Sequence, residues 1–131
     1  MVEFRDARKT DLPAVRKFLA ENGWEKRVAD EQRFQRMLGH ANRTVLAMDK
    51  DRVVGFARAL CDDASNGYVG TVAVAADKRG QGIGREMVHR LIGDDPSITW
   101  VLRAGRGSEE FWKKMGFEPS SIAMERTRKE G

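Results

Sequence analysis

The chain has 131 residues with 24 Lys/Arg against 20 Asp/Glu, a net charge of +4; that length suits one domain, 1–131, burying about two-thirds of its unfolded surface around one core. Residues 1–65 carry 13 Lys/Arg against 11 Asp/Glu and residues 66–131 carry 11 against 9, so neither half is a nucleic-acid arm. No apolar run approaches the roughly 18 residues of a membrane span, no signal-peptide pattern opens the chain, and the single cysteine, Cys61, forms no internal disulfide.

In chain order, Val2 to Asp6 alternates as a first strand. Thr10 or Asp11 is placed to cap a helix that tolerates Pro13 in its first turn, runs to about Glu21 and stops at Asn22-Gly23. Its apolar face is Leu12, Val15, Phe18 and Leu19. After the connector Trp24-Glu25-Lys26-Arg27, a second helix is predicted from about Ala29 to Leu38, with Phe34, Met37 and Leu38 inward. Thr44 to Met48 reads as a strand, Asp49-Lys50-Asp51 as a hairpin turn and Arg52 to Leu60 as the returning strand. Asp62 to Gly67 is a polar loop, and Tyr68 to Ala75, rich in β-branched residues, is a further strand.

The next stretch carries the most chemistry. Ala76-Asp77-Lys78-Arg79 turns into Gly80-Gln81-Gly82-Ile83-Gly84, and a helix follows with Met87, Val88, Leu91 and Ile92 on one side. A strand, a glycine-rich turn and a helix start together make a phosphate site, because first-turn N–H groups and the helix dipole both favour an anion. The loop is not a Walker sequence, since no G-x-x-x-x-G-K-[ST] string occurs. As a dinucleotide fingerprint it lacks the third glycine, where Met87 stands, and the acidic residue about 20 positions on. Arg79-Gly80-Gln81-Gly82-Ile83-Gly84 does fit [QR]-x-x-G-x-[GA]; a plain strand-to-helix corner is the other reading. Beyond it, Gly93 to Pro96 breaks the helix, Ile98 to Leu102 is a strand, and Ser108 caps a helix bearing Phe111, Trp112 and Met115. Phe117 to Pro119 and Ile122 to Thr127 read as closing strands, and Glu125 to Glu130 as a solvated edge or tail.

The loop, the order β-α-α-β-β-β-α-β-α-β-β and the segment Phe111-Trp-Lys-Lys-Met-Gly-Phe117 together resemble the GNAT superfamily of N-acetyltransferases along nearly the whole chain. The resemblance implies a mixed α/β (α+β) fold: a central, mostly antiparallel sheet with splayed central strands, flanked by about four helices. It implies that Val72, Ala73 and Val74 pair with a pantetheine arm, and that the Val74 N–H faces the thioester carbonyl. Arg79, Gly80, Gln81, Gly82, Ile83 and Gly84 then hold the pyrophosphate of acetyl-CoA. Around the acceptor it implies Glu21, Trp24 and Glu25, on the first inter-helix connector.

An amine of pKa near 10.4 is neutral only about once in 2,500 molecules at pH 7, so transfer to it calls for a base. Tyr68, the only tyrosine, is the candidate base or relay, with a packing residue as its other reading. The family's acid tyrosine is replaced by Trp112, whose indole donates a hydrogen bond but releases no proton near neutrality. His40, His89 and Cys61 lack metal-ligand spacing, so no metal is expected. The expected protein is a cytoplasmic acyl-CoA-dependent N-acyltransferase, acetyl-CoA its donor and co-substrate. Its acceptor is a small-molecule amine or an exposed amino group, with no nucleic-acid or membrane partner, and the protein is a monomer or homodimer. The alternative is a catalytically weak coenzyme A-binding module.

Overall fold

Five strands form one sheet in the order of the chain, β1-β2-β3-β4-β5, in a computed structural model that describes residues 1–129. They are β1 (Val2–Arg5), β2 (Arg43–Asp49), β3 (Arg52–Cys61), β4 (Asn66–Val74) and β5 (Thr99–Leu102). The first four are antiparallel neighbours, whereas β5 runs parallel to β4 because a helix carries the chain back between them. The helices are α1 (Leu12–Leu19), α2 (Glu31–His40), α3 (Ile83–Ile92) and α4 (Glu109–Lys114). The mixed, mostly antiparallel sheet with four helices is the expected fold class.

The core lies between the sheet and α1 and α3. Val15, Phe18 and Leu19 of α1 and Met87, Val88 and Leu91 of α3 are buried with Leu46, Val54 and Phe56 of the strands. Each such side chain contributes about 1.5–3 kcal/mol, so burial outweighs the exposed ion pairs. Met87 sits so close to β3 that a Cβ on Gly55 would fall 2.9 Å from its Sδ. Arg43 ties the end of α3 to the sheet, donating to the carbonyls of Leu91 and Ile92 at 3.1 and 3.2 Å.

Local chemistry sets the element ends. Asp11 does not cap α1 with its side chain, because its carboxylate is held by the Arg5 guanidinium at 2.7 and 2.9 Å and by the Arg8 N–H at 2.7 Å. The end of α1 unwinds through a wider turn to Gly23, at φ +99°, while Asn22 Nδ2 donates to the Phe18 carbonyl at 2.8 Å. The second helix starts two residues later than predicted, since Asp30 takes the Arg33 N–H at 3.1 Å and acts as N-cap. The polar loop before β4 is closed by the Asp62 carboxylate, which accepts from the N–H groups of Ala64, Ser65 and Asn66.

The predicted closing strands are absent, which corrects that part of the element order. Residues 117–129 have no regular secondary structure, and Ile122 and Met124 are nearly fully exposed. Two causes act together. The Ser120 hydroxyl accepts the N–H groups of Ile122 and Ala123 at 3.2 and 3.1 Å, spending donors that a ladder needs. The available edge, β5, is four residues long and offers few bonds in return. Glu130 and Gly131, at the end of the predicted tail, lie outside the described residues.

Candidate functional site

The site begins with a break in pairing. In the register of β3 and β4, Arg58 opposes Thr71 and Ala59 opposes Val69, which leaves Gly70 opposite nothing: a β-bulge. The pairing of β4 with β5 ends one residue before it, at Val69 and Leu102. A bulge bends its strand, so β4 leaves β5 there and the two splay. From Gly70 to Val74 the free edge of β4 forms one wall of a cleft of about 520 Å³, and Leu102, Arg103 and residues 105–108 with Phe111 and Trp112 form the other.

Backbone alternation decides which groups face the cleft. The Ala75 N–H donates to the Val54 carbonyl at 2.8 Å, so Gly55 and Val74 form a non-hydrogen-bonded pair. The N–H and C=O of Val74, and by the same alternation those of Val72, therefore point away from β3 and into the cleft. Ala73 turns its own groups toward Phe56 and contributes a buried methyl. The Val74 carbonyl also accepts from Arg79 Nε at 3.2 Å, which anchors that arginine at the cleft rim.

The two ends of the loop, Arg79 and Gly84, line the cleft. Gly80 and Gly82 hold φ of +79° and +84°, with nothing within 4 Å of where a Cβ would stand. The glycines are required by backbone angle, not by crowding. Gly82 is the N-cap of α3 with no side chain bonded to the first turn, so the amides of that turn have no side-chain competitor. The Ile83 side chain is buried in the core, and Gly84 lines the cleft against Val74 and Phe111. Gln81 is exposed on the loop.

The remaining candidates separate. Trp112 lines the cleft but is buried, with Phe111 and Phe117 edge-on at centroid distances of 4.9 and 5.3 Å. Tyr68 lies outside the cleft, in an adjoining pocket of about 890 Å³, beside Arg103, whose pKa it raises. Trp24 lines both cavities. Glu25 instead lines a groove between α1 and α2, and Glu21 is exposed. Cleft and pocket meet at Trp24, Gly70, Thr71 and Arg103.

Sequence reading missed Arg58. Its Nε donates to Thr71 Oγ1 at 3.0 Å, and its guanidinium lies over Gly70, where a Cβ would fall 2.6 Å from Cζ. Burial pulls the pKa of this arginine below its ordinary value. A signal was present, since Arg58 is the one charge within Val53 to Leu60. Arg33, Arg36 and His40, spaced to share a face of α2, line the same pocket.

Comparison with known proteins identifies the family and the fold. Residues 9–129 match the family model described as acetyltransferase (GNAT) domain. The uncharacterized N-acetyltransferase ycf52 of Porphyra purpurea is 31% identical over 102 residues, 72% of this chain; the chain spans 58% of that relative's length. A GNAT family acetyltransferase from Streptococcus pneumoniae TIGR4 superimposes with a TM-score of 0.77 at 23% identity, covering 97% of this chain and 100% of that one. Arabidopsis thaliana Naa50, in complex with the bisubstrate analogue CoA-Ac-MVNAL, gives 0.73 at 22% identity, covering 92% and 85%. At these identities the two structures speak to the fold.

Proposed function

The chain belongs to the GNAT acetyltransferase family, and from that premise we propose that it transfers an acetyl group from acetyl-CoA to a primary amine. One observation carries the proposal: an unpaired strand edge, an arginine at the rim and an uncapped helix start surround a single cleft. Each suits a different part of the donor. The amides of α3 and Arg79 suit the pyrophosphate. The outward N–H and C=O groups of Val74 and the outward C=O of Val72 suit the amides of pantetheine, which lies along β4 as an added strand.

The reacting end belongs where cleft and pocket join, at Gly70 and Thr71. Val74 stands beside the loop, held by Arg79, whereas Val72 is two residues nearer the junction. We therefore assign the oxyanion donor to the Val72 N–H and leave Val74 to the pantetheine arm. The amine nitrogen attacks the thioester carbon, the carbonyl oxygen becomes an oxyanion on that N–H, and the C–S bond breaks as the tetrahedral intermediate collapses. The amine proton passes to water, and coenzyme A leaves as its thiolate, to be protonated from solvent. Arg103 and Arg106 line the cleft, and like charge there lowers the pKa of an incoming ammonium. That reduces the demand on a base. Tyr68, beside Arg103, is the candidate relay.

A second reading follows from a specific observation. Among the described residues, no Asp, Glu or His lines the cleft. A module that binds coenzyme A without rapid turnover needs none. A mass-spectrometric screen of amines with acetyl-CoA, with and without protein, separates the two. Product that depends on both protein and acceptor supports the transferase; tight coenzyme binding without product supports the module.

A further inference from the structure

We infer that the pocket beside the cleft takes its acceptor by an anionic group, so that the substrate is a small primary amine bearing a phosphate or a carboxylate. The inference rests on the acyl-transfer reading and names the substrate class of that site. Its first ground is composition. The pocket receives Arg33 and Arg36 from α2, Arg58 from β3, Arg103 from the chain after β5 and Arg128 from the C-terminal segment. Among the described residues, no Asp or Glu lines it. A chain of net charge +4 with evenly divided halves thus gathers cations from four separate segments into one concavity.

The second ground is Arg58. Arginines on the outer face of a helix are ordinary solvated residues, but Arg58 stands mid-strand between buried Ala57 and Ala59. Among the described residues it has no carboxylate partner, and its bond to Thr71 uses Nε alone. A desolvated cation without a counter-ion is costly. Arg128 adds like-charge repulsion, since both burial and that neighbour pull the Arg58 pKa down. The bulge glycine leaves the room that the guanidinium occupies. Such an arrangement is stabilised by an incoming oxyanion, which a guanidinium fork binds through two parallel N–H bonds.

The third ground is place and size. The pocket shares Gly70, Thr71 and Arg103 with the cleft, so an anion held at Arg58 leaves its amine directed to the reacting end. A volume of about 890 Å³ suits a small molecule, and a cluster gathered around one concavity differs from the extended stripe that tracks a nucleic acid.

The test uses the protein saturated with coenzyme A and follows backbone amides by NMR during titration. Two matched pairs serve as probes: O-phosphoethanolamine with ethanolamine, and β-alanine with propylamine. Expected is saturable binding of at least one anionic member, at least tenfold tighter than its neutral partner, with shifts at Gly70 and Thr71. The pair that discriminates more identifies phosphate or carboxylate as the preferred anion. Arg58→Gln should weaken that binding at least tenfold, Arg58→Lys less, and both should keep the coenzyme affinity and the fold by circular dichroism. Equal binding of charged and neutral members, no saturable binding of either anion, or binding indifferent to Arg58→Gln overturns the inference. If coenzyme A itself does not bind, the acyl-transfer reading fails instead. Titration of the coenzyme-free protein with inorganic phosphate, wild type against Arg58→Gln, then still decides the pocket.

Discussion

Gly70 and Arg58 occupy one another's space: a Cβ on Gly70 would fall 2.6 Å from Arg58 Cζ and 2.7 and 2.8 Å from its two terminal nitrogens. Gly70→Ala is therefore expected to displace the guanidinium. The displaced atoms are the far end of a flexible side chain, so the cost to stability should stay within about 1 kcal/mol. Anion binding in the pocket should fall at least tenfold. Thermal melts and phosphate titration of the variant check this; full anion affinity in Gly70→Ala would separate the glycine from the arginine.

Much of the fold was legible because strands and helices announce themselves by period, and the loop did so by its glycines and its place between them. What failed was information held between segments. Ile122 to Thr127 has a strand-like sequence, but a strand needs an edge, and β5 is too short to provide a long one. Arg58 looks like a solvent-facing strand residue until the register brings it opposite Thr71, with the bulge at Gly70 next to it. Trp24 was expected beside Glu21 and Glu25, yet the wide turn at Gly23 sends these side chains to different cavities and to solvent.

Asp11 gives a pH prediction with a definite sign. The Arg5 guanidinium, and then the Arg8 N–H, hold its carboxyl at about 2 against an ordinary 3.8. A folded-state pKa below the unfolded one stabilises the protein above about pH 4 and ceases to do so as pH falls through about 2. The pair is partly exposed, with side-chain accessibilities of 33% and 17%, so its worth is on the order of 1 kcal/mol. Urea unfolding of wild type and Asp11→Asn should differ at pH 7 and converge toward pH 2; a constant difference would contradict the assignment.

Trp112 is buried between Phe111 and Phe117 and also walls the cleft, so packing and chemistry can be told apart by substitution. Trp112→Ala should cost about 3–5 kcal/mol. Trp112→Tyr and Trp112→Phe should lose less stability, by similar amounts. If the ring reaches the departing sulfur, the Tyr variant, which regains a hydroxyl, should turn over faster than the Phe variant. Equal turnover in the two would assign Trp112 to packing alone.

The central claim is that the splayed edge of β4 and the glycine loop hold coenzyme A, and isothermal calorimetry of three proteins tests it most directly. Wild type should bind coenzyme A saturably, one per chain. Gly82 has φ +84° and open space around its missing Cβ, so Gly82→Ala imposes backbone strain alone and should bind more weakly. Gly82→Glu adds a carboxylate where the pyrophosphate should lie and should abolish binding while the circular dichroism spectrum stays that of a folded protein. Coenzyme affinity in folded Gly82→Glu equal to that of wild type, or no binding by wild type at all, would contradict the account.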